Sequence, residues 1–484
     1  MLLYRFRWVY CQLETLRHCF PPNLRQFLNE LPESLDETYE RILRGINKAQ
    51  KEDARRLLQC LTVAARPLRV EELAELLAFD FRATSEQGIP TLKENWRWKD
   101  QEEAVLSTCS SLIAIVRNGK SRVVQFSHFS VKEYLTSPRL TRSRGDISWF
   151  HIDLNAAHTI LAQACLGTLL QLDEHSDNDS SKGFPLVEYA AQHWVEHAQF
   201  ESVSLRVQDG MDDLFDRSKS HFAAWLRVHD LDERQHAFWN SPASSVGSPL
   251  YYAASCGFHD LAGRLITKHP EQVNARGGRN LAPLAAALYK RHFRIADLLS
   301  KHGAVVDVRG EHDGWTLVHG ASKFGGVEGV DIMRWLFDHG ANANVQTNSR
   351  RIPLHVAAYE MHLGAVKVLL EHNTDINLRD TYGDTPLQDT LSHVHSSPEG
   401  EEVEIVRQLL DHGADPNIPD RGYSTLLHRA SYSGWLEIAR LLLRYGAKVD
   451  EMDGAGRTPF QVASSRGYHE VTKLLLDHGA VPPP

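Results

Sequence analysis

Residues 425–446 read TLLHRASYSGWLEIARLLLRYG. The second part, Glu437 to Gly446, carries apolar residues at helical spacing (Ile438, Leu441, Leu442) and stops at a glycine, the residue best suited to the left-handed conformation that ends a helix. The same ending recurs. DHGA stands at Asp338–Ala341, Asp411–Ala414 and Asp477–Ala480, with weaker copies at Lys268, Lys301, Glu371 and Arg444. The central residues are His269, His302, His339, His372, His412, Tyr445 and His478, so the period is 33 residues in four steps and 37 or 40 in the other two. Asn373 replaces the glycine in the fourth copy, and Pro270 replaces it in the first. A period of this length means stacked supersecondary units that share one elongated core.

A second column precedes each ending: Pro249-Leu250, Pro283-Leu284, Thr316-Leu317, Pro353-Leu354-His355, Thr385-Pro386-Leu387, Thr425-Leu426-Leu427-His428 and Thr458-Pro459-Phe460. Threonine before proline is a helix start, with the hydroxyl as cap and proline where no N–H is missed. Alanine pairs such as Ala253-Ala254 and Ala357-Ala358 let helices approach closely. Seven copies of this T-P-L-H pattern at a 33-residue period resemble the ankyrin repeat family. Sixteen of the 26 histidines fall in this half. A solenoid spaces such residues along its length, so hydrogen bonding is expected of them rather than one metal centre. The acidic run Ser397–Glu402 in the fifth copy is expected to be an exposed loop.

The first half has other signals. Leu35, Tyr39, Ile42 and Leu43 make one face of a helix opened by Pro32. Helices are expected over Asp53–Ala65, Val70–Leu77 and Glu102–Leu112, with Arg66-Pro67-Leu68 as a connection. Ala114–Ser121, AIVRNGKS, is nearly a phosphate-binding loop, which needs a strand before it and a helix after it. The residues that follow, Arg122–Ser127, read as a second strand, and Asn118-Gly119 is a hairpin signal. A β-hairpin with Lys120 in solvent is therefore expected, not a nucleotide site.

Helix, helix, helix and hairpin, closed by Phe129–Leu135 (FSVKEYL), resemble the winged-helix module of fungal NACHT–ankyrin proteins, STAND signalling ATPases that are NLR-like. That module is catalogued under a GPI inositol-deacylase and is not itself catalytic. Leu31–Leu43 resembles the family's linker, and Phe6–Leu16 the last helix of its NACHT ATPase. The resemblance implies a mainly α chain: a remnant NACHT-like helix in 1–30, a linker helix in 31–50, a winged-helix-like domain in 51–140, a helical spacer in 150–240 and about seven ankyrin repeats in 248–484. The ATPase core that the family places before the linker is not seen in this sequence. Either a scaffold that works without it or the regulatory and sensing portion of such an ATPase, supplied upstream or in trans, is then expected.

Composition narrows the function. The formal charge is −9, from 53 basic and 62 acidic residues, and residues 52–133 hold twelve of each sign. Neither balance favours nucleic acid or an anionic membrane. Six scattered cysteines without a CxxC pair point to free thiols in a reducing compartment, hence a cytoplasmic or nuclear protein. His193–His197, HWVEH, matches a zinc-peptidase pattern on an amphipathic helix, where chance is the better account. No enzyme activity, cofactor or metal is expected.

What remains is protein binding along the solenoid. The resemblance places partners at the loop tips and the exposed side of each first helix. At the tips stand Arg276, Arg279, Trp315, Arg350, Arg351, Tyr382, Arg421, Tyr423 and Arg457, and on first helices Lys290, Arg291, Lys323, Tyr359 and Tyr432. Arginine and large aromatics dominate interfaces, although arginine also keeps a solenoid edge solvated. An arginine-rich edge predicts an acidic or phosphorylated protein partner.

Overall fold

The computed structural model describes residues 34–482 except 85–88, 110, 120, 143–145, 173–182, 230, 232–245, 311–312 and 393–399. The expected NACHT-like helix in 1–30, Pro32 and Lys120 lie outside the described residues. The chain is mainly helical and falls into two compact units that divide near residue 233.

In the first unit the linker helix spans Leu35–Gly45. Its opener is Ser34, whose Oγ accepts the Glu37 N–H at 3.2 Å, a regular N-cap. Tyr39 and Leu43 are buried, and the Tyr39 hydroxyl meets Ser130 Oγ at 2.7 Å. Helices Lys51–Val63, Val70–Glu75 and Gln101–Cys109 follow, then antiparallel strands Ile113–Asn118 and Ser121–Phe126. Gly119 takes φ +61° at the turn between the paired residues Asn118 and Ser121. The chain thus returns as a strand where a phosphate loop would begin a helix.

Two features differ from the sequence expectation. Leu68–Arg69 is more than a connection: it pairs with Val123–Val124 as a third strand. A second hairpin, Phe79–Thr84 with Pro90–Leu92, stands before the third helix. Leu68–Arg69 and Pro90–Leu92, of two and three residues, carry too little alternation to be seen as a pattern, and Phe79–Thr84 has no partner run of its own length. The buried carboxylate of Glu72 anchors the first feature, since it accepts from Arg66 at 2.7 Å and Arg69 at 2.9 Å. Helix Phe129–Thr136 closes the module. Leu154–Leu169 and Val187–Ala198 lead the helical spacer, which packs round Trp194, Phe215 and Trp225, with the two indoles 5.4 Å apart.

Among its described residues the second unit has seven helix pairs, from Pro249–Ser255 with His259–Lys268 to Pro459–Arg466 with His469–Asp477. Thr385 and Thr458 cap their helices by accepting from Gln388 and Gln461 N–H, with proline at the first position in each. Asn373 (φ +52°) and Gly303, Gly340, Gly413, Gly446 and Gly479 (φ between +83° and +93°) end the second helices. In repeat one, Pro270 starts a short 3-10 turn, Pro270–Asn274, instead. Repeat five departs most. Its first helix is one turn, Pro386–Asp389, and its second begins at Glu401. Glu401 and Glu402 are therefore not loop residues; they occupy the first helical turn, where acidic side chains favour the dipole. Residues 397–399 of that run lie outside the described residues.

Five residues after each repeat's central residue comes a column that stitches neighbours together: Asn274, Asp307, Asn344, Asn377, Asn417 and Asp450. Each asparagine bonds twice across the repeat boundary. Asn377 Nδ2 donates to the Gly413 carbonyl at 3.1 Å while its Oδ1 accepts the Asp415 N–H at 2.8 Å. Asn274, Asn344 and Asn417 repeat the pattern. Asp307 and Asp450 keep only the accepting half, from Asn342 and Val481 N–H, because a carboxylate has no proton to give. Burial also raises the Asp307 carboxyl above its usual range.

Two stability predictions follow from this geometry. Asp307→Asn restores a donor toward the next repeat's terminal carbonyl and removes a half-buried charge. It is expected to stabilise by about 0.5–1 kcal/mol, read as a higher melting temperature; an unchanged or lower one would refute the assignment. A Cβ at Gly413 meets no neighbour within 4 Å, so the cost of Gly413→Val is expected to be mainly backbone strain, about 1–2 kcal/mol. An unaltered melting curve would show that φ +93° is not required there.

Candidate functional site

A hollow of about 520 Å³ opens over the turns and first helices of repeats five to seven. Tyr382, Arg421, Tyr432 and Arg457 line it, so the structure brings together four of the fourteen sequence candidates. Tyr382, Tyr423 and Tyr432 are 64%, 68% and 51% exposed. Tyr423 sits at φ +57° in its turn and Arg350 at φ +61° in another, and both project from the edge.

The other candidates divide by what already holds them. Arg351 is occupied inside the repeats: it donates to buried Asp389 at 2.7 Å and lies 4.9 Å from the ring centre of Tyr359. Burial pushes the Asp389 carboxyl up to about 7, and Arg351 opposes that rise. Arg457 closes on its own turn through Asp453 at 2.8 Å. Arg291 is tied to Asp331 at 2.8 Å. Trp315 is half-buried rather than exposed, with its ring 5.8 Å from His319 and 5.7 Å from Lys323 Nζ. Lys290 Nζ lies 5.6 Å over Tyr289. Arg276 is exposed and Arg279 half-buried, both in the turn before the second repeat.

Arg429 and Arg466 were not foreseen. Arg429 lines the hollow, and the Arg466 guanidinium stacks on Tyr432 at 3.8 Å. Both stand on first helices, three and seven residues past the helix start, and a count along each helix would have found them.

The histidines of the repeats are structural. The backbone N–H of Ile352 donates to His355 Nδ1 at 3.2 Å, so the ring proton is on Nε2, which donates to the Asp384 carbonyl of the next repeat at 3.2 Å. His319 bridges Thr316 to the Arg351 carbonyl, and His428 bridges Thr425 to the Arg457 carbonyl. Gln388 does the same with an amide, accepting from Thr385 N–H at 2.7 Å and donating to the Ile418 carbonyl at 3.0 Å. Burial holds His319 and His355 at about 4, and pushes His428 down.

In the first unit, the second histidine of HWVEH cannot face a metal. Both nitrogens of buried His197 are in contact, with His158 Nδ1 at 2.9 Å and the Tyr189 hydroxyl at 2.8 Å. Burial lowers it to about 3. No cluster of three or more metal-ligating side chains occurs among the described residues. Cys60, Cys109, Cys165 and Cys256 are buried free thiols. No described helix is long and apolar enough to cross a membrane.

Comparison with known proteins fits these two architectures. Residues 250–347, 318–420 and 393–483 match the family model for ankyrin repeats. Residues 39–145 match the model described as GPI inositol-deacylase, winged helix domain. The azaphilone pigments biosynthesis cluster protein L of Monascus ruber is 32% identical over 298 residues, 58% of this chain and 61% of that protein. Ankyrin repeat protein nuc-2 of Neurospora crassa is 24% identical over 435 residues, 85% of this chain and 37% of that protein. The chain therefore spans less than two thirds of either relative. The ankyrin repeat domain of Bcl-3 aligns in full with 48% of the chain, at 27% identity and a TM-score of 0.42. The chain carries a winged-helix module followed by an ankyrin-repeat solenoid.

The bridging histidines generate a pH prediction. Their folded values lie below the ordinary 6.5, so between about pH 6.5 and 4 the unfolded chain binds more protons and stability falls as pH falls. Asp389 acts in the opposite sense, since its folded value is raised; comparison of variants at one site cancels that term. His355→Gln reproduces the Gln388 bridge without a titrating group. It is expected to melt near wild type at pH 7.5 and to lose less stability at pH 5. His355→Ala leaves the Asp384 carbonyl and Ile352 N–H without the bridge, at a cost of about 2–3 kcal/mol. Equal acid losses in wild type and the glutamine variant would refute the bridge's role.

Proposed function

We propose that the chain is a protein–protein interaction scaffold whose partner docks on the turns and first helices of the ankyrin repeats. One observation carries this reading. Three tyrosines more than half exposed, Tyr382, Tyr423 and Tyr432, stand at or beside one hollow rimmed by arginine. Large aromatics gain little from solvent, and with arginine they dominate interface energetics. A long face of this kind suits recognition of an extended surface.

The partner we infer is acidic or phosphorylated. Arg350, Arg429 and Arg466 make no ion pair among the described residues, and guanidinium groups suit carboxylate and phosphate alike. A winged-helix module ahead of the repeats supports an NLR-like signalling role as the finer reading, in which a nucleotide-switch ATPase works with this chain. A P-loop ATPase recovered with the tagged protein and dependent on residues 39–145 would carry that reading.

A combined Tyr382→Ala, Tyr423→Ala and Tyr432→Ala variant tests the docking face. These side chains are solvent-facing, so circular dichroism and melting should stay within a few degrees of wild type. The strongest co-purifying partner should be lost or weakened at least tenfold. Full retention of every partner by the folded variant would place the binding surface elsewhere, with the winged-helix unit next.

A further inference from the structure

The HWVEH helix of the first unit carries a chain of hydrogen bonds whose direction is fixed at one end. The chain begins at Ala65, just past the end of Lys51–Val63 and within the winged-helix module. A backbone N–H only donates, and this one donates to the Tyr189 hydroxyl at 3.0 Å. The hydroxyl stands 2.8 Å from His197 Nε2, and His197 Nδ1 stands 2.9 Å from His158 Nδ1. Tyr189 and His197 are buried, while His158 is half-buried with its ring stacked on Phe200 at 4.0 Å. Tyr189 and His197 belong to Val187–Ala198 and His158 to Leu154–Leu169, so the chain ties the helical spacer to the module.

With all three side chains neutral, one direction satisfies every atom. Ala65 N–H donates to the Tyr189 oxygen, Tyr189 O–H to His197 Nε2, and His197 Nδ1–H to His158 Nδ1. The proton of His158 then sits on Nε2, at the outer end. The reverse direction runs inward from His158 Nδ1–H and ends with the Tyr189 oxygen accepting twice. The hydroxyl has no third hydrogen-bond partner among the described residues, so its own hydrogen is then left unmet. Imidazolium carries N–H on both nitrogens, and protonated His158 therefore permits only the reverse direction. A proton arriving at the rim strands a donor in the core, where an unmet donor is costly.

The charged and titratable neighbours come from every packed element. Lys132, on the closing helix Phe129–Thr136, and Glu201 both act on His158. The Arg66 guanidinium lies 5.0 Å over the Tyr189 ring and is paired with Glu72, and Arg69 is paired with Glu188. The His193 ring stands 4.9 Å from Tyr189, with its Nδ1 3.4 Å from Glu196. The buried thiols of Cys60 and Cys165 act on Tyr189 from the two remaining helices. Burial holds His158 below its ordinary range; Glu201 opposes that shift and Lys132 adds to it. His197, at about 3, stays neutral where His158 titrates.

We infer that His158 is the acid-sensitive end of this one-way chain, and that protonating it loosens the joint between the helical spacer and the Ala65 turn of the winged-helix module. The folded value of His158 lies below the ordinary 6.5. The joint is therefore complete above that pH and weakens as pH falls below it.

The test is amide hydrogen exchange of the full chain by mass spectrometry between pH 7.5 and 5, corrected for the intrinsic rate. The readout is the protection of a peptide covering residues 62–69. In wild type it should fall by about fivefold or more. His158→Asn keeps an acceptor close to the Nδ1 position and does not titrate, so its protection should fall by no more than about twofold. Two surface variants move the sensor without touching the chain. Lys132→Gln removes a cation that opposes protonation, and the midpoint of the loss should shift to higher pH. Glu201→Gln removes an anion that favours it, and the midpoint should shift to lower pH. Both should melt as wild type does at pH 7.5. An equal loss in wild type and His158→Asn overturns the inference, and so does a midpoint that neither surface variant moves. If His158→Asn fails to fold, the two opposite shifts decide the matter alone.

Discussion

The middle of the second unit depends on a neutral side chain placed three residues past the first-helix cap in repeats three to six. His319, His355, Gln388 and His428 each accept a backbone N–H inside their own repeat and donate to a carbonyl of the next. A buried polar group is costly unless both ends are satisfied, and here both ends are. The requirement is for one acceptor and one donor at fixed separation, which neutral imidazole and carboxamide both supply. Imidazolium would not serve, because both its nitrogens are donors and Nδ1–H would face the cap N–H. The low values of His319 and His355 express the same constraint.

With the inside joined this way, and the asparagine column joining the outer edge, the exposed side of each first helix is released from structural work. That release is uneven. Arg351 and Arg291 look identical to Arg429 and Arg466 in sequence, yet the first two are neutralised by Asp389 and Asp331. The distinction matters energetically. An arginine already paired must lose a buried partner before it binds a new one, whereas one stacked only on tyrosine offers its guanidinium edge with the ring supporting its face. Arg351 therefore belongs to the frame and Arg466 to the surface.

Much of this was legible in the sequence. The 33-residue period, the threonine caps, the left-handed glycines and Asn373 follow from local chemistry that repeats seven times, and repetition is what makes weak local signals decisive. The hairpin at Gly119 was legible because its strands are six residues each. Leu68–Arg69 was not, because a two-residue strand exists only through its pairing with Val123–Val124. Nor could the sequence sort the arginines, since the partners of Arg351 and Arg291 lie 38 and 40 residues away. The burial of Trp315 was missed for a similar reason: His319 and Lys323 meet it one and two helical turns on, a contact made by side-chain direction and not by turn position.

Repeat five shows how an irregularity in a regular array becomes a feature. A solenoid's stability resides in contacts between neighbours, so shortening one first helix removes packing on both sides of that repeat. The structure holds the repeat in place by other means. Gln388 still reaches the Ile418 carbonyl, Arg351 grips Asp389 from the repeat before, and the second helix Glu401–Asp411 keeps its apolar face, with Ile405, Val406, Leu409 and Leu410 buried. These contacts lie on the inner and rear sides. Tyr382 and Arg429 line the hollow beside this repeat. The departure from the period that thins the array thus lies beside the hollow, where Ser392 of the same repeat joins the lining.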